Sequence, residues 1–325
     1  MILTQRQIHL KYDDQISAPF SPENGCCQGC PLLMLLYAIY NAPLIRIADP
    51  NNPNKHIIGF VDDTTLLASG RDFDEAHNTI KNMMERKNGV FEWSRTFNSP
   101  LEMSKLALVN FTLSPEKAAK ATPLTLTHLD TNGPTTHRLT AKPYTKLLGV
   151  LLNSKLTWKA QHEKVREKAI KWMATFKQFT KAASGIHMRD ARKLYNAVAV
   201  PKISYAADLW FRTKSSHKTD KNRTDTGPHM ITKRLEAIQR NAAISITRAL
   251  QTAPGDATIV HANLTPIGIL LKETSLKGYA RLSTRPLTHP ITPLIARTHK
   301  QLPKKHITLL HYLAQTARFN PNEME

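Results

Sequence analysis

The chain has 325 residues, 41% of them hydrophobic, which predicts a globular protein with two or three ordinary cores. It contains no run of 18 apolar residues and no amino-terminal signal segment, so we expect an intracellular protein with no membrane partner, in either the nucleus or the cytoplasm. Its 45 Lys and Arg against 25 Asp and Glu give a formal charge of +20, which predicts a polyanionic partner and favours nucleic acid.

The amino-terminal third predicts short strands around one helix. Residues 1–24 favour two short strands, with Asp13 and Asp14 at a turn. Helical apolar spacing begins at Pro31 and continues to about Ile47. After a loop, the strand-like runs "HIIGF" and "TTLLA" flank two adjacent aspartates, which predicts a hairpin.

The next segments alternate between a helix and strands. Apolar residues recur at a helical period after Asp72, and Glu75 three residues later completes the pattern of a capping box. "KLALVNFTL", residues 105–113, predicts a strand, and "PLTLTHL" predicts another within the polar stretch that follows. "YTKLLGVLL" predicts a strand pair that turns near Gly149.

From Trp158 onward the pattern becomes that of basic amphipathic helices. The sequence therefore predicts an α+β architecture, in which an antiparallel sheet with packed helices is followed by an all-helical region. Its predicted parts are an α+β part over 1–155, helices over 156–213, a flexible linker over 214–229 and a helical region over 230–325.

The cysteines cluster in "GCCQGC", at Cys26, Cys27 and Cys30. A structural zinc site needs four ligands, and no second Cys or His pair follows at a suitable spacing. We therefore predict no zinc and interpret these cysteines as small residues of a tight turn.

The adjacent carboxylates Asp62 and Asp63 suggest a cation site. Two neighbouring carboxylates repel each other, and a divalent cation compensates that repulsion. Oxygen ligands suit Mg²⁺, which commonly bridges carboxylates to substrate phosphates. An exposed turn rich in Asp is the alternative that this pair leaves open.

Four segments in order carry a resemblance to a known family: "NGCCQGCPLLMLLYAIYNAPL", "GFVDDTTLLASGRDFDEA", "FNSPLEMSKLALVNF" and "YTKLLGVLLN". This series resembles the motifs of a reverse-transcriptase palm, and it is most similar to those of non-LTR (LINE-type) retrotransposons of fungi. The helical segments that follow resemble the thumb of the same proteins. The resemblance implies an RNA-directed DNA polymerase with an RNA template, a DNA primer and deoxynucleotides as partners.

The resemblance also implies roles for individual residues. "FVDD" matches the family's aromatic-x-Asp-Asp motif, which implies that Asp62 and Asp63 are catalytic ligands of two Mg²⁺ ions, with Mn²⁺ as a substitute. The remaining matches imply nucleotide and template contacts by Gln28, Gly29 and Phe60, proton donation to pyrophosphate by Lys105, and a primer grip at Leu148 and Gly149.

The chain departs from the family in two respects. A working palm has a third carboxylate on a strand before the Gln-Gly motif, and this chain begins too late to contain that strand, so we expect it to be inactive alone. Asp13 and Asp14 fall in the hairpin between these motifs and do not replace it. Cys27, Cys30, Leu33 and Met34 stand where the family has Pro, Ser, Ser and Pro.

The first basic helix supplies a candidate nucleic-acid surface. Its cations predict salt-dependent contacts to duplex phosphates, although a merely solvated face is the alternative. The candidates are Lys164, Arg166, Lys168, Lys171, Lys177 and Lys181. A basic nucleic-acid-binding protein without catalysis is accordingly the second functional hypothesis.

Overall fold

The structure is a computed structural model that describes residues 7–21, 31–49, 51–112, 114, 121–130, 133–181, 184–212, 226–286, 288–289, 291–300 and 309–317. Gln28, Gly29, the three cysteines and residues 214–225 of the predicted linker lie outside these ranges. The fold is mixed α+β with small antiparallel sheets, which confirms the predicted class at that level. The chain divides into two compact units, residues 1–148 and 149–325.

Within its described residues, the first unit holds short hairpins and three helices. In chain order its elements are β1 (Lys11–Tyr12), β2 (Gln15–Ile16), α1 (Pro31–Ile45), β3 (Lys55–Phe60), β4 (Asp63–Ala68), α2 (Phe73–Glu85), α3 (Val90–Thr96), a 3₁₀ turn (Met103–Lys105), β5 (Leu124–Asp130), β6 (Gly133–Leu139) and β7 (Tyr144–Leu147). The described strands pair as two-stranded sheets, β1 with β2, β3 with β4, and β5 with β6, all antiparallel.

The core of the first unit forms where α1, α2 and α3 pack on β3 and β5. The side chains of this core are almost completely buried and include Leu44, Ile57, Met83, Trp93 and Leu126. The start of α2 follows the predicted capping box, because the Asp72 carboxylate accepts from the Glu75 amide at 2.8 Å. The Glu75 carboxylate in turn accepts from the amide of Arg71 at 2.8 Å, one residue before the N-cap Asp72, so the return bond of the capping box is displaced by one residue.

Two strand predictions in this unit need correction. The predicted strand over 105–113 is wrong for its described residues: Lys105 ends a 3₁₀ turn, and Leu108 makes an isolated bridge with Ala141. The predicted strand "PLTLTHL" is present as β5, but β6 was missed. The sequence signal for β6 was the Asn132-Gly133 dipeptide, which is typical of tight hairpin turns.

The second unit is mainly helical. After β8 (Val150–Asn153) come α4 (Lys159–Phe179), α5 (Met188–Leu194), a π turn (Tyr195–Ala199), α6 (Val200–Ser204), α7 (Ala207–Trp210), α8 (Thr226–Thr247), α9 (Gly255–His261), α10 (Ile267–Ser283), α11 (Thr292–Lys300) and α12 (Leu309–Ala317). The main core of this unit gathers the buried faces of α4, α8 and α10, with Phe176, Trp210 and Leu271 nearly inaccessible.

The helix boundaries differ from the prediction in two places. Within the predicted helices over 156–213, a π turn follows α5, and Tyr205 and Ala206 separate α6 from α7, with a φ of +54° at Ala206. The helix expected from residue 230 already begins at Thr226, inside the predicted linker. Among the helices that the structure describes, none is long and apolar enough to span a membrane.

Candidate functional site

The two aspartates lie at the tip of the β3–β4 hairpin, as the sequence predicted. Phe60 pairs with Asp63 as the last register pair, so Val61 and Asp62 form a two-residue turn. Phe60 and Asp63 therefore project from one face of the hairpin, which is also the face of Ile58. All of these residues are exposed, so the carboxylates are open to solvent and to a ligand.

The turn has a backbone conformation that its sequence does not favour. Val61 has a φ of +52°, whereas Asp62 is not among the residues with positive φ. A positive φ at the first turn residue alone is typical of a type II′ turn, which prefers glycine at that position. Left-handed backbone costs a non-glycine residue roughly 1–2 kcal/mol, and a β-branched side chain is among the worst suited to it.

The chemistry available at the tip is that of two hard oxygen ligands. Exposed carboxylates at adjacent positions suit Mg²⁺ or Mn²⁺, which retain water ligands and accept phosphate oxygens. Across the part of the chain that the structure describes, no three His, Cys, Asp or Glu side chains converge as a metal-binding group. Asp13 and Asp14 form the turn of the separate β1–β2 hairpin, as predicted.

Lys105 ends a 3₁₀ turn and is not on a strand. Its ammonium forms an ion pair with Glu102, and Ser104 donates to the same carboxylate at 3.0 Å. The hydrogen bond and charge of Glu102 raise the pKa of Lys105, and the negative charges of Asp62 and Asp63 raise that pKa further. The structure thus brings three of the predicted site residues into one electrostatic environment.

Leu148 and Gly149 form the turn between β7 and β8. Both have positive φ, +46° and +85°, which is typical of a type I′ turn with glycine at its second position. A Cβ at Gly149 would also meet the Tyr205 ring at 3.3 Å. The Lys164 ammonium donates to the Gly149 carbonyl at 2.8 Å and so links α4 to this turn.

The predicted basic residues do not form one stripe on α4. The buried face of this helix carries Val165, Ala169, Met173 and Phe176. At about 100° per residue, the cations therefore fall on two opposite flanks of that face. One flank carries Lys164, Lys168 and Lys171, the other carries Arg166 and Lys177, and Lys181 follows the end of the helix.

Some of these cations already have protein partners. Arg166 pairs with Glu163 at 3.1 Å, and the same carboxylate pairs with Arg234 of α8. Lys168 and Lys171 are exposed beside each other on their flank, as is Lys177 on the other. The exposed cations that could meet a phosphate backbone are thus spread around the helix, and their role in binding stays a prediction.

Sequence reasoning missed two residues that contact the hairpin turn or Lys105. Glu102 gave no signal, because acidic residues are common in exposed turns. Asn41 did give a sequence signal: apart from the tyrosines, it is the one residue with a polar side chain in the helix "PLLMLLYAIYNAPLI". A polar group in such an apolar helix is expected to have a specific partner, and Asn41 donates to the Val61 carbonyl at 2.7 Å.

Comparisons with protein-family models, with curated proteins and with solved structures gave no match for this chain.

Proposed function

We propose that this chain is the palm and thumb portion of a reverse transcriptase, an RNA-directed DNA polymerase of the non-LTR retrotransposon type. The observation that carries the proposal is the β3–β4 hairpin, which presents Asp62 and Asp63 at an exposed tip; the charges of both aspartates also raise the pKa of Lys105. This arrangement agrees with the roles that the motif resemblance implies for the same three residues.

The residues present fit a Mg²⁺-dependent reaction on phosphates. Asp62 and Asp63 would hold Mg²⁺, which supplies positive charge to the triphosphate and to the attacking 3′-hydroxyl when it is bound. Lys105 offers a proton and a positive charge to the departing pyrophosphate. Phosphoryl transfer depends mainly on such positioning and charge, so it requires no covalent nucleophile from the protein.

Deoxynucleotide binding tests the hairpin directly. Titration of the purified chain with a deoxynucleoside triphosphate should show Mg²⁺-dependent binding that Asp62→Asn and Lys105→Met weaken about tenfold, through lost charge-assisted contacts. Asp14→Asn is the matched control, because it neutralises an exposed aspartate at another hairpin turn of the same unit. Equal effects of Asp62→Asn and Asp14→Asn would contradict the proposed site.

Primer extension tests the catalytic step separately. A labelled DNA primer on an RNA template is incubated with the chain, deoxynucleotides and Mg²⁺ or Mn²⁺. Extension that falls by about 10²-fold or more in Asp62→Asn, but not in Asp14→Asn, would support polymerase activity.

The charge of +20 and the exposed lysines of α4 favour a second candidate, a nucleic-acid-binding protein without catalysis. Salt-sensitive binding of an RNA–DNA duplex, without Asp62-dependent binding of a deoxynucleoside triphosphate, would favour this candidate over the polymerase. Binding of this kind is expected to be independent of sequence, because phosphate contacts position a protein without reading bases.

A further inference from the structure

The turn that presents Asp62 requires support from outside the hairpin. Val61 is the first residue of the two-residue turn and has a φ of +52°, a backbone conformation in which glycine is favoured. Strained backbone of this kind persists where surrounding structure fixes it, and it recurs at functional sites. The hairpin itself supplies only the Phe60–Asp63 pair next to the turn.

Asn41 provides a contact from α1 that reaches the strained residue itself. Its amide nitrogen donates to the Val61 carbonyl at 2.7 Å, and its side chain is 5% exposed. The same helix contacts β3 nearby, because a Cβ added at Gly59 would meet the Ile45 side chain at 3.4 Å. A short, partly buried hydrogen bond from a packed helix is suited to fixing the orientation of one peptide unit.

The geometry points to Asn41 as a positioning residue that holds the Val61 peptide in its left-handed conformation and thereby fixes the direction in which Asp62 leaves the turn. Asn41 acts through Val61, and it is not itself a ligand of metal or nucleotide. This inference rests on the proposed function only for what Asp62 binds, since the restraint on the turn is a property of the hairpin.

Asn110 offers a matched control for the loss of a buried amide. It belongs to the same unit, is 6% exposed, and accepts at 2.9 Å from the ring of His77, a residue of α2. Each of the two side-chain amides makes one of these hydrogen bonds with one polar atom. In the described structure its other polar atom, Oδ1 of Asn41 or Nδ2 of Asn110, is buried without a hydrogen-bond partner. Asn41→Leu and Asn110→Leu therefore remove similar groups from similar surroundings.

Hydrogen exchange of residues 55–68 tests the restraint without any metal or nucleotide. Relative to Asn110→Leu, Asn41→Leu should accelerate exchange of the hairpin amides by about tenfold, the effect of one net hydrogen bond. Adding Val61→Gly should remove most of this acceleration, because glycine adopts positive φ without strain. Equal exchange in the two leucine variants, or no rescue by Val61→Gly, would overturn the inference.

A variant that fails to fold would leave the rescue as the decisive measurement. If Asn41→Leu unfolds the first unit, the double variant Asn41→Leu/Val61→Gly should restore a folded hairpin, and failure to do so while Asn110→Leu/Val61→Gly folds counts against the inference.

Binding of Mn²⁺, followed by electron paramagnetic resonance, connects the restraint to the proposed site. Asn41→Leu should weaken Mn²⁺ binding several-fold, and Asp62→Asn should weaken it more. If the unchanged chain binds no Mn²⁺ but the exchange results hold, the proposed function fails and the restraint stands. If Mn²⁺ binding depends on Asp62 but not on Asn41, the site stands and the positioning role is refuted.

Discussion

The Lys164 ammonium donates a hydrogen bond of 2.8 Å to the carbonyl oxygen of Gly149. One of the candidate phosphate-binding cations therefore also fixes the turn that the motif resemblance identifies as a primer grip. Gly149 needs its glycine for a φ of +85° and for the close approach of the Tyr205 ring, so the turn is constrained by both neighbours.

Lys164→Met and Lys168→Met should have different effects on duplex binding. Lys168 is exposed on the same flank of α4, and loss of one phosphate contact there reduces the slope of log K against log salt by about 0.9. Lys164→Met should change this slope less and should instead loosen the turn, because the Gly149 carbonyl loses its donor. Fluorescence anisotropy with an RNA–DNA duplex at several salt concentrations measures both slopes. Equal changes of slope would show that Lys164 also contacts phosphate.

Asp72→Ala should lower the free energy of unfolding by about 1 kcal/mol, whereas Asp72→Asn should be nearly neutral. The Asp72 side chain accepts from the Glu75 amide at the start of α2, and Asn is an equally good residue at this position. Urea unfolding followed by circular dichroism gives both values. A loss as large in Asn as in Ala would mean that the negative charge matters more than the capping hydrogen bond.

The β3–β4 hairpin was predicted correctly from sequence, whereas the predicted strand over 105–113 was wrong for its described residues, and the difference has a physical reason. Between Lys55 and Ala68 the two strands are close in sequence and satisfy each other through a two-residue turn. Residues 105–113 have similar apolar character, but a strand requires a partner along its length, and in the described part of this segment the pairing seen is the isolated bridge of Leu108 with Ala141. Apolar alternation indicates that a segment can form a strand, but it does not show whether another strand is present to pair with it.

The candidate site shows the same division between local and distant information. Asp62 and Asp63 were identified because adjacent carboxylates between apolar strands are unusual within a short window. The contact from Asn41 to Val61 joins residues 20 positions apart and depends on how α1 packs. The ion pair between Glu102 and Lys105 depends on a 3₁₀ turn, which has no apolar periodicity from which it could be predicted. Helical geometry likewise separated cations that looked continuous in the sequence.

Leu271→Ala should destabilise the second unit by about 2–5 kcal/mol, as is typical of a fully buried leucine. Leu271 is 0% exposed in the core formed by α4, α8 and α10, while Ile269 on the same helix is 59% exposed. Ile269→Ala is therefore the matched control, and its effect should stay within about 0.5 kcal/mol. Guanidinium unfolding measured on both variants checks the difference, and similar losses would contradict the packing of α10.

Tyr195 should make the second unit sensitive to alkaline pH. Burial raises the pKa of this phenol from 10.0 to about 12, because the phenolate is poorly solvated among Trp172, Phe176 and the rest of the core. Below pH 10 the phenol is neutral in both the folded and the unfolded chain. Between pH 10 and about 12 only the unfolded chain releases the proton, so stability falls as pH rises, by up to about 2–3 kcal/mol from this residue.

The comparison of the unchanged chain with Tyr195→Phe isolates this contribution from the other groups that titrate at high pH. The free energy of unfolding is measured at several values between pH 8 and 11.5. Below pH 10 the difference between the two proteins should be constant, and above it the unchanged chain should lose stability relative to Tyr195→Phe, because phenylalanine has no proton to release. Parallel curves over the whole range would mean that Tyr195 ionises as readily in the folded unit as in the unfolded chain.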